Sequence, residues 1–189
     1  MNLQTRYPTT ADEFLRWNDG REGKREFVNG NVVELMMINS TRNHFRIATN
    51  LIVALRGLLD LSAYDVGSAD FGVKTPGGVR YPDAFVDRLG QKTTGADLAA
   101  MEPLLVAEIL SSSSYTRDFG EKLVDYTGLA SLRHYVILAQ EEPRAWLWSR
   151  VESGAWVGPE LIAGRDGAIA LSGLDLLIPL AEIYAGIEF

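Results

Sequence analysis

The chain has 189 residues, a net charge of −7 and no cysteine. That length suits one domain, expected to span residues 1–189, and is short for two. The acidic balance argues against a protein that coats nucleic acid regardless of sequence. Without cysteine there is neither a disulfide framework nor a thiolate metal site. No run of 18 apolar residues could cross a membrane, and Met1 to Arg6 show no signal-peptide pattern. The expected location is the cytoplasm.

Thr10-Ala11-Asp12-Glu13 has the pattern of a capping box, with a hydroxyl at the N-cap and a Glu three residues on. It predicts a short helix carrying Phe14, Leu15 and Trp17 that stops near Asn18-Asp19-Gly20. Asn29-Gly30 stands between two β-rich runs, a strong hairpin signal, so strands are expected at 24–28 and 31–37. A second helix is expected from Ser40 or Thr41. Its apolar positions are Phe45, Ala48, Leu51, Ile52, Leu55, Leu58 and Leu59, one face lying on a sheet.

Two strands are expected next, at 64–74 and 80–88, parted by Pro76-Gly77-Gly78. Residues 89–101 read as a polar excursion with a helical turn. The run 103–110 is nearly all apolar, as in a central strand covered on both faces. Ser111 to Thr116 form a polar loop into a helix over 117–128, and 134–139 is another central strand. Between 144 and 150, Ala145, Leu147 and Ser149 alternate with Trp146 and Trp148, the pattern of an outer or half-covered strand. Short strands run to 171, and a last helical turn falls at 179–185. The strand–helix–strand unit 103–139 implies a parallel pair within a mixed sheet.

Two acids stand inside apolar runs: Asp83 after Arg80-Tyr81-Pro82, and Glu108 within Leu104–Leu110. A charge buried in a strand is costly unless something pairs with it, and a divalent cation is a common partner. Neighbouring strands lie roughly 5 Å apart, so acids on adjacent strands can share one ion. Lys122, on the following helix, could then serve the attacking water or the phosphate charge. This set points to metal-dependent hydrolysis of a phosphodiester.

The ordered series Tyr81-Pro82-Asp83, Val106 to Ser111, Arg117 to Tyr126 and Tyr135 to Leu138 resembles the Uma2 (Uma-two) family of endonucleases. That family is placed in the PD-(D/E)XK, restriction-endonuclease-like superfamily. The likeness extends to Glu13-Phe14-Leu15, the Arg25–Gly30 hairpin and the Trp-rich strand. It implies an α/β (mixed α+β) fold with a mixed central sheet flanked by helices. It also implies a Mg²⁺- or Mn²⁺-dependent endonuclease acting on DNA, with Asp83 and Glu108 as metal ligands, joined by the Ile109 carbonyl. The superfamily lysine two residues after the Glu is absent, since Leu110 stands there, and the resemblance moves that role to Lys122. Glu26 matches a family acid, and His44 and Tyr126 are candidate pocket residues. A homodimer would suit cleavage of both strands of a duplex.

Plainer readings exist for each residue. Asp83 could be exposed or paired with Arg80, and Glu108 could be a buried acid bonded to backbone or to an arginine. Lys122 could form an ordinary helix pair with Asp118. Glu26 could pair with Lys24, Arg25 or a neighbouring strand, and His44 could be a core histidine. Tyr126 could be a wall, the serines Ser111 to Ser114 a capping turn, and Trp146 and Trp148 packing or base-stacking groups. At the level of function the alternatives are an inactive nuclease fold serving as a binding or assembly module, and a hydrolase of small phosphate esters.

Overall fold

The computed structural model describes residues 7–35, 40–111 and 114–189. The expected strand end at 36 and 37, and Ser112 and Ser113 of the serine loop, lie outside the described residues. Helix α1, Ala11–Asn18, is capped by the Thr10 hydroxyl, which accepts from the Glu13 N–H at 3.2 Å. The Glu13 carboxylate accepts in turn from the Thr9 N–H at 2.8 Å. Strands β1, Arg25–Val28, and β2, Asn31–Glu34, form the expected hairpin. Asn29 and Gly30 turn it with φ of 48° and 82°, the left-handed backbone that a two-residue hairpin requires.

Helix α2, Arg42–Leu58, is capped by Thr41 and buries Ile47, Leu51 and Leu55. Two of its expected core positions are not core: Phe45 is 62% exposed and Leu58 is 50% exposed. Phe45 lies two residues from Ile47 and so falls on the far side of a helix whose buried stripe steps by four.

The segment expected as two long strands is four short ones divided between two sheets. They are β3, Tyr64–Ser68; β4, Gly72–Thr75; β5, Gly78–Arg80; and β6, Ala84–Arg88. The chain leaves the second long run at Tyr81-Pro82-Asp83, where Pro82 has no N–H for a ladder and the Asp83 carboxylate accepts from the Ile109 N–H. A short strand β7, Ala99–Ala100, ends the 89–101 excursion and pairs parallel with β4. Together β2-β1-β5-β4-β7 make a five-stranded sheet.

The larger sheet has six strands. Joining β3 and β6 are β8, Pro103–Ile109; β9, His134–Leu138; β10, Arg144–Arg150; and β11, Trp156–Ala163, in the order β11-β10-β9-β8-β6-β3. β8 and β9 are parallel and the other neighbours antiparallel, so the sheet is mixed, as expected. β10 lies inside the sheet rather than at its edge, because β11 adds eight residues beyond it. Its faces alternate as read: Ala145 and Leu147 join the cluster under α2, and Trp148 joins the opposite cluster.

Every residue of β8 is buried. Leu105, Ala107 and Ile109 pack with Ile47, Leu51 and Leu55 of α2, while Val106 packs with Tyr126 and Tyr135 on the other face. Glu108 shares the face of Val106, since side chains alternate along a strand. On that face the helix expected over 117–128 is broken in two: α3, Tyr115–Asp118, and α4, Glu121–Thr127. The break falls at Gly120, whose φ of −117° and ψ of −99° are not helical. A hairpin of β12, Ala168–Leu171, and β13, Leu176–Pro179, leads to α5, Leu180–Ile183. β13 went unanticipated, although Leu176-Leu177-Ile178 is a short apolar run. Among the described residues no helix is long and apolar enough to cross a membrane.

Candidate active site

The β6–β8 register places Ala84 opposite Ala107. Asp83 and Glu108 are the next residues outward on each strand, so the two acids meet where the ladder opens. The Asp83 carboxylate accepts from the Ile109 N–H at 2.8 Å, and His44 Nε2, from the first turn of α2, lies 3.3 Å from the same oxygen. Both contacts fall on Oδ2, and Oδ1 has no partner among the described residues. Burial works against the ionised Asp83. The His44 contact, the Ile109 N–H and the charge of Lys122 outweigh it and hold the carboxyl below the usual aspartate range.

Glu108 is held from α4. Lys122 Nζ lies 2.8 Å from Oε2, and the Tyr126 hydroxyl donates to Oε1 at 2.9 Å. Residues 122 and 126 are four apart, so one helix face delivers both groups. Lys122 Nζ also lies 3.0 Å from the carboxylate of Asp118 on α3, whose side chain is 1% exposed. Lys122 is the sole polar side-chain partner of that carboxylate among the described residues. Burial pushes the Glu108 carboxyl up, to about 8; Lys122 opposes that rise, while Asp83 and Asp118 add to it. Burial also disfavours the Lys122 ammonium, but the charges of Glu108 and Asp118 override it and keep the group protonated beyond the ordinary lysine range.

Glu26, on β1 of the smaller sheet, is 2% exposed and bound at 2.8 Å by Arg80 of β5. Arg80 also grips Asp125 of α4 with Nε at 2.8 Å and Nη2 at 2.6 Å. Arg80 therefore turns away from Asp83 and ties the smaller sheet to the helix that carries Lys122. Asp83, Glu108, Ile109, Lys122, Glu26 and His44 all line one cleft of about 960 Å³. Tyr126 lies beneath Glu108 rather than in the cleft lining. Trp146 and Trp148 pack around Phe119, with ring centroids 5.2 and 5.7 Å away, and neither lines the cleft. Ser114 sits at the start of α3 without a side-chain cap; its hydroxyl accepts from the Ser111 N–H.

The sequence pairs Asp118 with Lys122, as found, but offers Arg80 to Asp83 rather than to Glu26 and Asp125, and gives Asp125 no role. The spacing of four between Asp118 and Lys122 was the visible signal for the first pair. The partners of Arg80 lie 54 and 45 residues away, and no local pattern announces such pairs. The second histidine, His134, is buried on β9 away from the cleft. Its Nε2 accepts from the Gly173 N–H, so Nδ1 carries the proton and donates to the Ser149 hydroxyl.

A divalent cation is compatible with this donor set. Hard oxygens of Asp83 and Glu108 face the cleft, and the surrounding carboxylates outnumber the cations Lys122 and Arg80. Among the described residues no three His, Asp or Glu side chains converge as a ligand set. The protein would thus offer two carboxylates, the number Mg²⁺ commonly takes while keeping several waters.

The mixed six-stranded sheet flanked by helices is that of the restriction-endonuclease-like fold, with Asp83 and Glu108 paired at its open end and Lys122 supplied from a helix. A crystal structure titled as "a putative nuclease belonging to DUF820" from Anabaena variabilis superposes with a TM-score of 0.72 and covers 94% of this chain and 98% of its own; at 15% identity that likeness establishes the fold alone. The chain belongs to the Uma2 family, described as "Putative restriction endonuclease", whose model matches residues 11–180. Two uncharacterized proteins of Synechocystis are similar along their length. One is 26% identical over 170 residues, covering 88% of this chain and 94% of its own; the other is 25% identical over 184 residues, covering 95% and 93%.

Proposed function

We propose that this chain is a Mg²⁺- or Mn²⁺-dependent endonuclease that hydrolyses DNA phosphodiester bonds. The observation that carries the reading is the meeting of Asp83 and Glu108 at the open end of the β6–β8 ladder, with Lys122 2.8 Å from Glu108. In this reading Asp83 and Glu108 hold the ion, with the Ile109 carbonyl as a third oxygen. A bound cation supplies a hydroxide near neutral pH and neutralises phosphate charge. Lys122, kept charged by Glu108 and Asp118, orients the attacking water or stabilises charge on the scissile phosphate. His44 and the Ile109 N–H orient Asp83, and the Tyr126 hydroxyl orients Glu108. Glu26 stands behind these acids or serves a second ion. The whole chain acts as one nuclease domain in the cytoplasm, as a homodimer whose two-fold axis suits a duplex; the dimer rests on fold analogy.

The test is plasmid nicking with Mn²⁺. Lys122→Ala is expected to lower the rate at least about 100-fold, the usual share of a positioned proton-handling group. Equal nicking by both proteins removes Lys122 from the mechanism. A second reading, a binding or assembly module on a retired nuclease fold, is favoured by the engagement of the site's acids within the protein: Glu108 is already paired with Lys122, and Asp83 Oδ2 is contacted by His44 Nε2 and the Ile109 N–H. Calorimetric titration with Mn²⁺ separates the two. Binding that Asp83→Ala and Glu108→Ala abolish supports the enzyme, and no binding by the wild type supports the module.

A further inference from the structure

Six basic side chains line the cleft: Arg21, Lys24, Arg25, His44, Arg117 and Lys122. Four are already engaged. Arg21 donates to the Trp17 carbonyl and stacks 4.3 Å over the Trp17 ring. Arg25 pairs with Glu34, His44 with Asp83, and Lys122 with Glu108 and Asp118. Lys24 and Arg117 have no side-chain partner among the described residues, although both are partly buried and the same lining contains Asp19, Asp70 and four other acids. They come from different elements: Lys24 from the segment leading into β1, two residues before Glu26, and Arg117 from α3, one residue before Asp118.

A chain of net charge −7 repels a polyanion, so a nucleic acid can settle only where cations remain unspent on the protein's own acids. Lys24 and Arg117 are such cations, and they line the same cleft as the acids proposed to carry out hydrolysis. A guanidinium offers a planar fork matched to two phosphate oxygens, and an ammonium offers a compact charge. We propose that Lys24 and Arg117 bind backbone phosphates of a nucleic-acid strand, flanking the phosphodiester presented to Asp83, Glu108 and Lys122. The class of ligand rests on the nuclease reading above. The contacts are to backbone, so they position the strand without reading its bases.

The measurement is the salt dependence of binding for a fluorescent duplex, followed by anisotropy in Ca²⁺ buffer from 50 to 200 mM NaCl. Each phosphate contact contributes about 0.9 to the slope of log K against log salt on duplex DNA, and about 0.7 on a single strand. Lys24→Gln and Arg117→Gln are each expected to reduce the slope by about 0.9, and the double variant by about 1.8. Wild-type affinity should therefore fall about tenfold more than that of the double variant across this range. Neither side chain has a side-chain partner among the described residues, so both variants should keep the wild-type unfolding midpoint. Arg56→Gln, on the exposed side of α2 outside the cleft lining, should leave the slope unchanged. An unchanged slope in the double variant overturns the proposal. So does an equal drop in Arg56→Gln, or wild-type binding that does not depend on salt. Nicking by the wild type with unchanged slopes would sink this inference and leave the endonuclease reading standing. The expected slopes without any nicking would do the reverse.

Discussion

Arg80→Met would test the ion-pair network that joins the smaller sheet to the lysine-bearing helix. Arg80 is 2% exposed, and its guanidinium contacts Glu26 at 2.8 Å and Asp125 at 2.6 and 2.8 Å. Burial disfavours this cation, but the two carboxylates override that and raise its pKa further. Methionine fills much of the same space without charge, leaving Glu26, itself 2% exposed, without its ion-pair partner. Breaking a buried pair from one side costs about 3–5 kcal/mol, a large part of a total stability of about 5–15 kcal/mol. Asp125 is better solvated, with a side chain 13% exposed, so most of the loss arises at Glu26. Adding Glu26→Gln to Arg80→Met should then restore about 1–3 kcal/mol, a coupling of the size found for contacting charged residues. Arg80→Lys keeps the charge but loses the fork that grips Asp125, and should fall between the two. The assay is urea unfolding followed by the fluorescence of the four tryptophans. A loss below about 1 kcal/mol in Arg80→Met, the scale of a surface pair, would refute the argument that this network is a buried structural tie.

Further expectations concern pH, backbone and the lysine clamp. Burial lowers the His134 pKa to about 4 from 6.5, so the unfolded chain takes up the proton first as the solution is acidified. Its contribution is complete above pH 6.5 and is lost between 6.5 and 4, by about 3 kcal/mol; replacing it by Gln should flatten acid unfolding curves in that window. Gly78→Ala should cost at least about 3 kcal/mol, because Gly78 has φ of 150° and a Cβ there would lie 1.8 Å from the Phe27 carbonyl oxygen. A thermal midpoint equal to wild type would contradict that close approach of β1 and β5. Asp118→Asn removes a buried charge whose one polar side-chain partner among the described residues is Lys122. Its stability should stay within about 1 kcal/mol of wild type, since Lys122 keeps Glu108 as a counter-ion and no buried charge is left unpaired. Nicking should fall about tenfold, which is about 1.4 kcal/mol in the transition state. Unaltered nicking would show that Glu108 alone keeps Lys122 in place.

Much of the architecture was legible in short-range pattern. Thr10 and the pair Ser40-Thr41 announced two helix starts, Asn29-Gly30 a hairpin, and the apolar runs around Val106 and Val136 a parallel central pair. These signals are local: a cap, a turn conformation or an alternation acts within a few residues, so the chain displays it directly. Asp83 and Glu108 stood out for the same reason, as charges inside apolar runs that demand a partner. Where the reading fell short, long-range partners decided the outcome. The run over 64–74 divides between two sheets because β3 pairs with β6 while β4 pairs with β5, and periodicity cannot say which neighbour a strand will choose. Likewise Arg80 chose Glu26 and Asp125 over the adjacent Asp83, and Phe45 turned out to face away from the sheet.

The sequence by itself determined which side chains had to be explained: two acids inside apolar runs, and a lysine fourteen residues beyond the second on the helical segment that follows. Only the tertiary structure decided how they meet. The β6–β8 register brings Asp83 level with Glu108, and α3 and α4 set Lys122 between Asp118 and Glu108 at the open end of that ladder. Arg80 fixes α4 to the smaller sheet. Charge burial made these residues conspicuous in one dimension. Strand pairing and the desolvation of their partners set their geometry in three.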